Sequence, residues 1–403
     1  LAGAEWLCRP ETQAVFRALA AAGYPAMAVG GVVRNALMGL PVTDIDIATP
    51  APPDRVAAAA RAAGLDCVPT GIDHGTVTVV ANRMPFEVTT LRRDVATDGR
   101  RATVAFTDDW AEDAARRDFT INALYCASDG RILDPLGGYP DIRARRVRFI
   151  GDPDRRIAED YLRILRYFRF FATFAAGDPD GSAIAACIRA RHGLERLSAE
   201  RVRAELLKLL VAPRAVAAVD AMTGAGLLAR VLHLAPRPGL FQRLCAAEAA
   251  MGVPPDAILR LSALAVAVEE DAAALTERLR LSNAESRALM VLDARTSHAL
   301  AAGDDRAARR LLAVLGPVEW RPRVLAAMAS GLAPDRAGRW LSMSAALPVP
   351  DFPLRGADLL DQGLTPGPAV GALLAELRQW WIEADFPSED RLRARLRDRL
   401  ARR

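Results

Sequence analysis

Residues Ala28 to Thr49, AVGGVVRNALMGLPVTDIDIAT, leave few folds open to the chain. An apolar strand runs into Gly30-Gly31, a helical segment follows over 32–38, a Gly-Leu-Pro turn closes it, and a second strand begins. Two glycines at a strand-to-helix junction let the backbone approach a phosphate, and the helix N-terminus offers free N–H donors. The spacing is not the G-x-G-x-x-G of a dinucleotide fold. In the second strand Asp44 and Asp46 alternate with Ile45 and Ile47. Residues i and i+2 of a strand point to one face, about 6.5–7 Å apart. Both carboxylates therefore project to one side while the isoleucines face the core. Two anions side by side repel and call for a cation, and hard oxygen ligands suit Mg²⁺, which prefers carboxylates together with substrate phosphates.

Other short apolar runs, at Ala26–Val29, Val77–Val80 and Phe86–Thr90, alternate with an Ala-rich helix near 53–63. Residues 1–25 read as a helix ended by Gly23-Tyr24-Pro25. After about Arg155 strand signals fade, and the remainder is helical in pattern, punctuated by Gly and Pro at 177–181, 236–239, 252–255 and 331–353. This predicts an α/β head followed by an all-α body. Glu87, in the last of the apolar runs, is either a third carboxylate for a two-metal site or an edge-strand glutamate facing water.

A hydrophobic content of 51% supports a sizeable core, and the formal net charge is only +4. Lys208 is the one lysine, so the positive charge is carried by arginine, the better fork for phosphate. That allows a polyanionic partner. Seven arginines, at 391, 393, 395, 397, 399, 402 and 403, mark either a solvated helix end or an RNA-binding tail. The five cysteines form no C-x-x-C pair, which predicts free thiols in a reducing compartment and no zinc site. No apolar run reaches the about 18 residues of a membrane span. A soluble cytoplasmic protein is expected, with no membrane contact and no stable protein partner implied.

Three motifs carry a family resemblance. Gly30-Gly31-Val32-Val33-Arg34, followed by Asp44-Ile45-Asp46, resembles the first signature of the class II tRNA nucleotidyltransferase and bacterial poly(A) polymerase family. Arg116-Arg117-Asp118-Phe119-Thr120-Ile121-Asn122-Ala123 is similar to its second motif. Glu159-Asp160-Tyr161-Leu162-Arg163, continuing to Arg166 and Arg169, is similar to its base-reading motif. The resemblance covers residues 26–171 closely. It implies a polymerase-β-like α/β nucleotidyltransferase head over 1–148, a helical neck over 149–205, and an all-α body and tail over 206–403 that bind tRNA. It implies Asp44 and Asp46 as Mg²⁺ ligands and catalytic residues, with Glu87 as a third catalytic candidate. Gly31, Arg34, Arg117 and Asp118 are implied as nucleotide-binding, together with Asp160, Arg163, Arg166 and Arg169. The family usually has Asp after the motif's arginine, whereas this chain has Asn35, to which no role is assigned. Some members carry an HD phosphohydrolase domain. With four histidines (74, 192, 233, 298) and no His-Asp doublet, none is expected here.

Asp160, Arg163, Arg166 and Arg169 recur every three residues, which on a helix gives one broad stripe. The stripe alone fits an amphipathic helix with an Asp–Arg pair. With the resemblance it implies base reading. An aspartate offers only acceptors and an arginine only donors. Cytosine and adenine each set an exocyclic amino donor beside a ring-nitrogen acceptor, so one pair can read both. Uracil and guanine turn a carbonyl toward the carboxylate, a costly mismatch once buried. Residues 92–113 read as a polar linker, in the place where CCA-adding members have a flexible loop associated with the switch from C to A. The expected activity is template-independent addition of C, C and A to tRNA from CTP and ATP. The alternative is a poly(A) polymerase.

Overall fold

The computed structural model describes residues 1–69, 71–72, 75–98, 101–290, 300–346 and 350–401. His74, His298, Arg402 and Arg403 lie outside the described residues. Contacts divide the chain into two compact units, Leu1–His233 and Leu234–Arg403. The neck expected over 149–205, and the residues after it as far as His233, belong to the same unit as the head.

The first unit is built on a mixed seven-stranded sheet of order β3-β4-β5-β2-β1-β8-β9. Its strands are β1 (Met27–Val29), β2 (Asp46–Thr49), β3 (Asp66–Val68), β4 (Thr76–Ala81), β5 (Met84–Thr90), β8 (Tyr125–Ala127) and β9 (Ile132–Leu133). β2 and β5 run parallel, and the other pairs are antiparallel. β6 (Arg92–Asp98) and β7 (Arg101–Phe106) pair as a separate two-stranded sheet, with a register shift between Asp94 and Ala96. The stretch read as a polar linker is thus largely a β-hairpin. Its sequence, with six charged residues among the fourteen from Arg92 to Ala105, is too polar to register as an apolar run.

The helices before the sheet closes are α1 (Glu5–Cys8), α2 (Pro10–Ala21), α3 (Gly31–Leu37), α4 (Pro53–Ala62) and α5 (Trp110–Ala115). α6 (Tyr139–Arg143), α7 (Pro153–Glu159), α8 (Leu162–Phe174), α9 (Gly181–Arg189) and α10 (Ala199–Leu210) follow. α2, α4 and α7 start on prolines, whose fixed φ suits the first turn and whose missing N–H costs nothing there. α8 is the central helix. Arg163, Arg166 and Arg169 form its half-buried stripe, while Leu162, Ile164, Leu165, Tyr167, Phe168, Phe170 and Phe171 are buried. Phe119 joins this helix to the second motif, its ring 4.9 Å from Phe170 and 5.0 Å from Phe149.

The second unit is helical throughout its described residues. Its core includes Trp320 and Trp340, both fully buried, with the Trp320 indole N–H donating to the Trp340 carbonyl at 2.7 Å. Arg391, Arg393, Arg395, Arg397 and Arg399 of the tail lie on the Glu389–Ala401 helix, where Arg393 pairs with Asp358 and Glu389, and Arg399 with Glu376. Among the described residues no helix is long and apolar enough to cross a membrane.

Candidate active site

A cavity of about 570 Å³ opens where β1, β2, α8 and α10 meet the second motif. Gly30, Gly31, Arg34, Asp46, Arg117 and Asp118 line it from the head. Asp160, Arg163 and Arg166 line it from the base-reading motif. Of the residues singled out from sequence, Asp44, Glu87 and Arg169 do not line it. Arg92, Arg116, Asn122, Phe170 and Arg201 do, and sequence reasoning assigned them no role.

The acidic edge sits on β2. The strand starts at Asp46, so Asp44 lies two residues before it and not within the strand. The alternation holds nevertheless: Asp44 is exposed and Asp46 half-buried, while Ile45 and Ile47 are buried. Glu87 is the cross-strand partner of Asp46 in the parallel β2–β5 ladder and of Thr78 on the other side. It is exposed, but β5 is an interior strand, so the edge-strand reading of Glu87 does not apply. Burial, then the charges of Glu87 and Asp44, push the Asp46 carboxyl above its usual range, with Arg117 opposing. These carboxylates therefore share one electrostatic neighbourhood in which negative charge is under-compensated.

The basic wall is organised by carboxylates and amides behind it. Gly30 takes a φ of +72°, and a Cβ there would stand 3.3 Å from Arg117 Nη1. A Cβ on Gly31 would stand 3.6 Å from Arg34 Nη2. The glycine pair leaves room for two guanidinium groups as well as for a backbone turn. Arg34 is buried and stacks over Phe174 at 4.0 Å. Burial first, then the charge of Arg169, pushes its guanidinium down to about 10. Asn35 accepts from Arg34 Nε at 3.1 Å and Nη2 at 2.8 Å, and Asn122 accepts from Nη1.

Arg117 donates to Asp113 at 3.0 Å, and Arg116 donates to the same carboxylate at 2.8 Å. Asp113, on α5, is almost fully buried and also accepts from the Tyr125 hydroxyl at 2.7 Å. Burial works against its charge, but the two arginines outweigh it and hold the carboxyl below its usual range. Asp118 does not present its carboxylate freely to the cavity. One oxygen accepts from Arg166 Nε at 2.8 Å and Nη2 at 2.6 Å. The other accepts from Asn122 and from the Phe119 backbone N–H, each at 2.9 Å. Here too burial opposes the charge, and Arg166 and Asn122 carry the carboxyl below its ordinary value. Arg169 turns away to Glu205 of α10 and covers the Phe170 ring at 4.4 Å.

The base-reading motif departs from the continuous helix expected of it. Asp160 has extended backbone, φ −158° and ψ 108°, and separates α7 from α8. Its carboxylate accepts from the Leu162 N–H at 3.1 Å, and its carbonyl from the Arg163 N–H at 3.0 Å. It therefore acts as the N-cap of α8, a place aspartate favours. A period of three residues cannot distinguish a stripe from a cap followed by a stripe. Asp160 and Arg163 do not pair with each other in these contacts: Asp160 accepts from Arg201 at 2.6 Å, and Arg163 donates to Glu159 at 2.5 Å and to the Arg156 carbonyl at 2.7 Å. Arg156, buried, donates in turn to the carbonyls of Arg116 and Arg117, which ties α7 to the second motif.

Residues 26–148 match the family described as "Poly A polymerase head domain", and residues 180–240 match "Probable RNA and SrmB- binding site of polymerase A". The chain is 33% identical over 363 residues to "CCA tRNA nucleotidyltransferase 1, mitochondrial" of Mus musculus, covering 89% of this chain and 83% of that protein. It is 31% identical over 392 residues to the "CCA-adding enzyme" of Levilactobacillus brevis, covering 93% and 94%. Among solved structures, the Bacillus stearothermophilus CCA-adding enzyme in complex with CTP superposes with a TM-score of 0.72 at 28% identity, over 98% of this chain and 100% of that one.

Proposed function

The chain belongs to the CCA-adding tRNA nucleotidyltransferase family, and from that premise we propose that it completes tRNA 3′ ends, adding C, C and A from CTP and ATP without a template and releasing pyrophosphate. One observation supports the chemistry above others: Asp46 shares a single cavity with Arg34, Arg117, Arg163 and Arg166. That sets a carboxylate edge against cations suited to three phosphates.

The family is metal-dependent. Among the described residues no three His, Cys, Asp or Glu side chains are grouped so as to hold an ion alone. The donors that do converge are carboxylates with under-compensated charge, which fits a hard ion whose remaining ligands are phosphate oxygens and water. We therefore assign Mg²⁺ to Asp44 and Asp46, with Glu87 beside them. When bound there, such ions supply activation of the attacking hydroxyl and neutralisation of triphosphate charge. Everything else falls to the chain's own residues. Arg34 and Arg117 are assigned to the triphosphate, held so that the α-phosphorus lies in line with the RNA 3′-hydroxyl. Asp160 and Arg163 are assigned to the base edge, since carboxylate and guanidinium both keep unused hydrogen-bonding capacity beyond the contacts described. The five free cysteines suit a reducing, cytoplasmic setting.

The second reading, a poly(A) polymerase, is favoured by the description that matches residues 26–148. Incubation with tRNA lacking its CCA end and each labelled NTP separates the two. Addition that stops after C, C, A supports the first, a long A tail the second, and no addition overturns both.

A further inference from the structure

We propose that Asn35 is a positioning residue that couples the two halves of the site: its amide fixes Arg34 on one side and the turn leading to Asp44 on the other. The inference rests on the assignment of Arg34 to the nucleotide and of Asp44 to the acidic edge. On one side the Asn35 carbonyl oxygen accepts two N–H groups of the Arg34 guanidinium, at 2.8 and 3.1 Å. On the other its amide nitrogen donates to the Pro41 carbonyl at 2.9 Å. The backbone carbonyl of Asn35 accepts from the Leu40 N–H at 2.8 Å, so side chain and main chain grip the same turn. Pro41 stands three residues before Asp44.

The chemistry fixes which way the amide points. A flipped amide would aim its N–H groups at guanidinium N–H groups and its oxygen at a carbonyl oxygen, losing every one of these bonds. It also shows what an amide does here that the family's usual aspartate would not. A carboxylate at this position would keep the guanidinium contacts but turn an acceptor toward the Pro41 carbonyl. It would also place a full negative charge beside the cation meant for phosphate. Asn35 orients Arg34 and leaves its charge free.

The two arms are separable. Asn35→Asp, nearly isosteric, keeps the guanidinium contacts, removes the Pro41 arm and adds a charge beside Arg34. Asn35→Ala removes both. CTP affinity by equilibrium binding, kcat at saturating CTP on tRNA lacking its CCA end, and the melting midpoint are measured for both variants and for Arg34→Ala. Asn35→Asp should bind CTP no more tightly than the parent and lose about tenfold in kcat at saturating CTP, the scale of one hydrogen bond lost without replacement. Asn35→Ala should lose a similar factor, about tenfold, in CTP affinity as well. The near-isosteric variant keeps the test standing if Asn35→Ala melts early. Parental kcat in Asn35→Asp, or parental CTP affinity in Asn35→Ala when Arg34→Ala has lost it, overturns the proposal. Parental affinity in Arg34→Ala overturns instead the assignment of Arg34 to the nucleotide.

Discussion

Arg34 is held by two amides, Asn35 and Asn122, whereas Arg117, Arg163 and Arg166 are each held by a carboxylate. A guanidinium held by neutral acceptors brings its whole charge to a triphosphate. One held by a carboxylate brings less charge but a firmer direction. The alternation of exposed Asp44 and half-buried Asp46 with buried Ile45 and Ile47 was legible in the sequence, because a two-residue period is carried by the chain locally. Asp113 was not, because its role depends on Arg116, Arg117 and Tyr125 meeting around one buried carboxylate. Asp44→Ala or Asp46→Ala should abolish incorporation while leaving tRNA retention on a filter largely intact. Substantial turnover by either variant in Mg²⁺ would overturn the acidic-edge assignment. Asp118 carries a pH signature. Its folded carboxyl titrates below its unfolded value. The stability it contributes is thus fully present above the unfolded pKa near 4 and is lost as pH falls through the lower folded one. Melting midpoints between pH 7 and strongly acid solution should therefore fall more steeply for the parent than for Asp118→Asn. Parallel curves would mean that the Arg166 pair adds no pH-dependent stability.

At the scale of elements, the break at Asp160 frees a carboxylate from the α8 stripe and sets it beside Arg201 in the cavity wall. The break is braced from below. Tyr161 packs on Gly193 so closely that a Cβ there would lie 2.0 Å from its ring, and Arg196 covers the same ring at 5.8 Å. Gly193→Ala should therefore cost about 1–3 kcal/mol, as overpacking does. It should also disturb nucleotide choice at a distance from any nucleotide. Asp160→Ala should lower discrimination of CTP and ATP over UTP and GTP by about 1–3 kcal/mol, the cost of an unmatched buried polar group. Comparing kcat/KM for all four NTPs beside melting curves separates the roles. If Asp160→Ala melts lower with selectivity unchanged, Asp160 is only a helix cap. The head's central strands and α4 were readable because apolar runs and an alanine-rich segment carry their own period. The hairpin of β6 and β7 was hidden because its strands pair with each other and not with the main sheet, so neither needs an apolar face of the usual kind.

For the whole molecule, the passage from a sheet-bearing half to a helical half was plain in the sequence, but the boundary at His233 was not. Helix follows helix across it, and only long-range contacts reveal where one core ends. If the second unit serves RNA and the first serves nucleotides, damage to one core should divide the two functions. Trp340→Ala empties the centre of a second-unit core and should cost about 3–5 kcal/mol. tRNA affinity should fall while CTP affinity, measured at a temperature where the first unit stays folded, holds. Equal loss of both would show the two functions to be inseparable. The cavity wall also sets limits on how the enzyme can be inhibited. Among the described residues no lysine, cysteine or histidine lines it, and the chain's single lysine sits exposed on the outer face of α10. Thiol- and amine-directed agents thus have no side chain to capture there. A covalent inhibitor would have to attack a guanidinium, as 1,2-dicarbonyl compounds do, or a carboxylate such as Asp46 or Asp160, and a bound triphosphate would stand in its way.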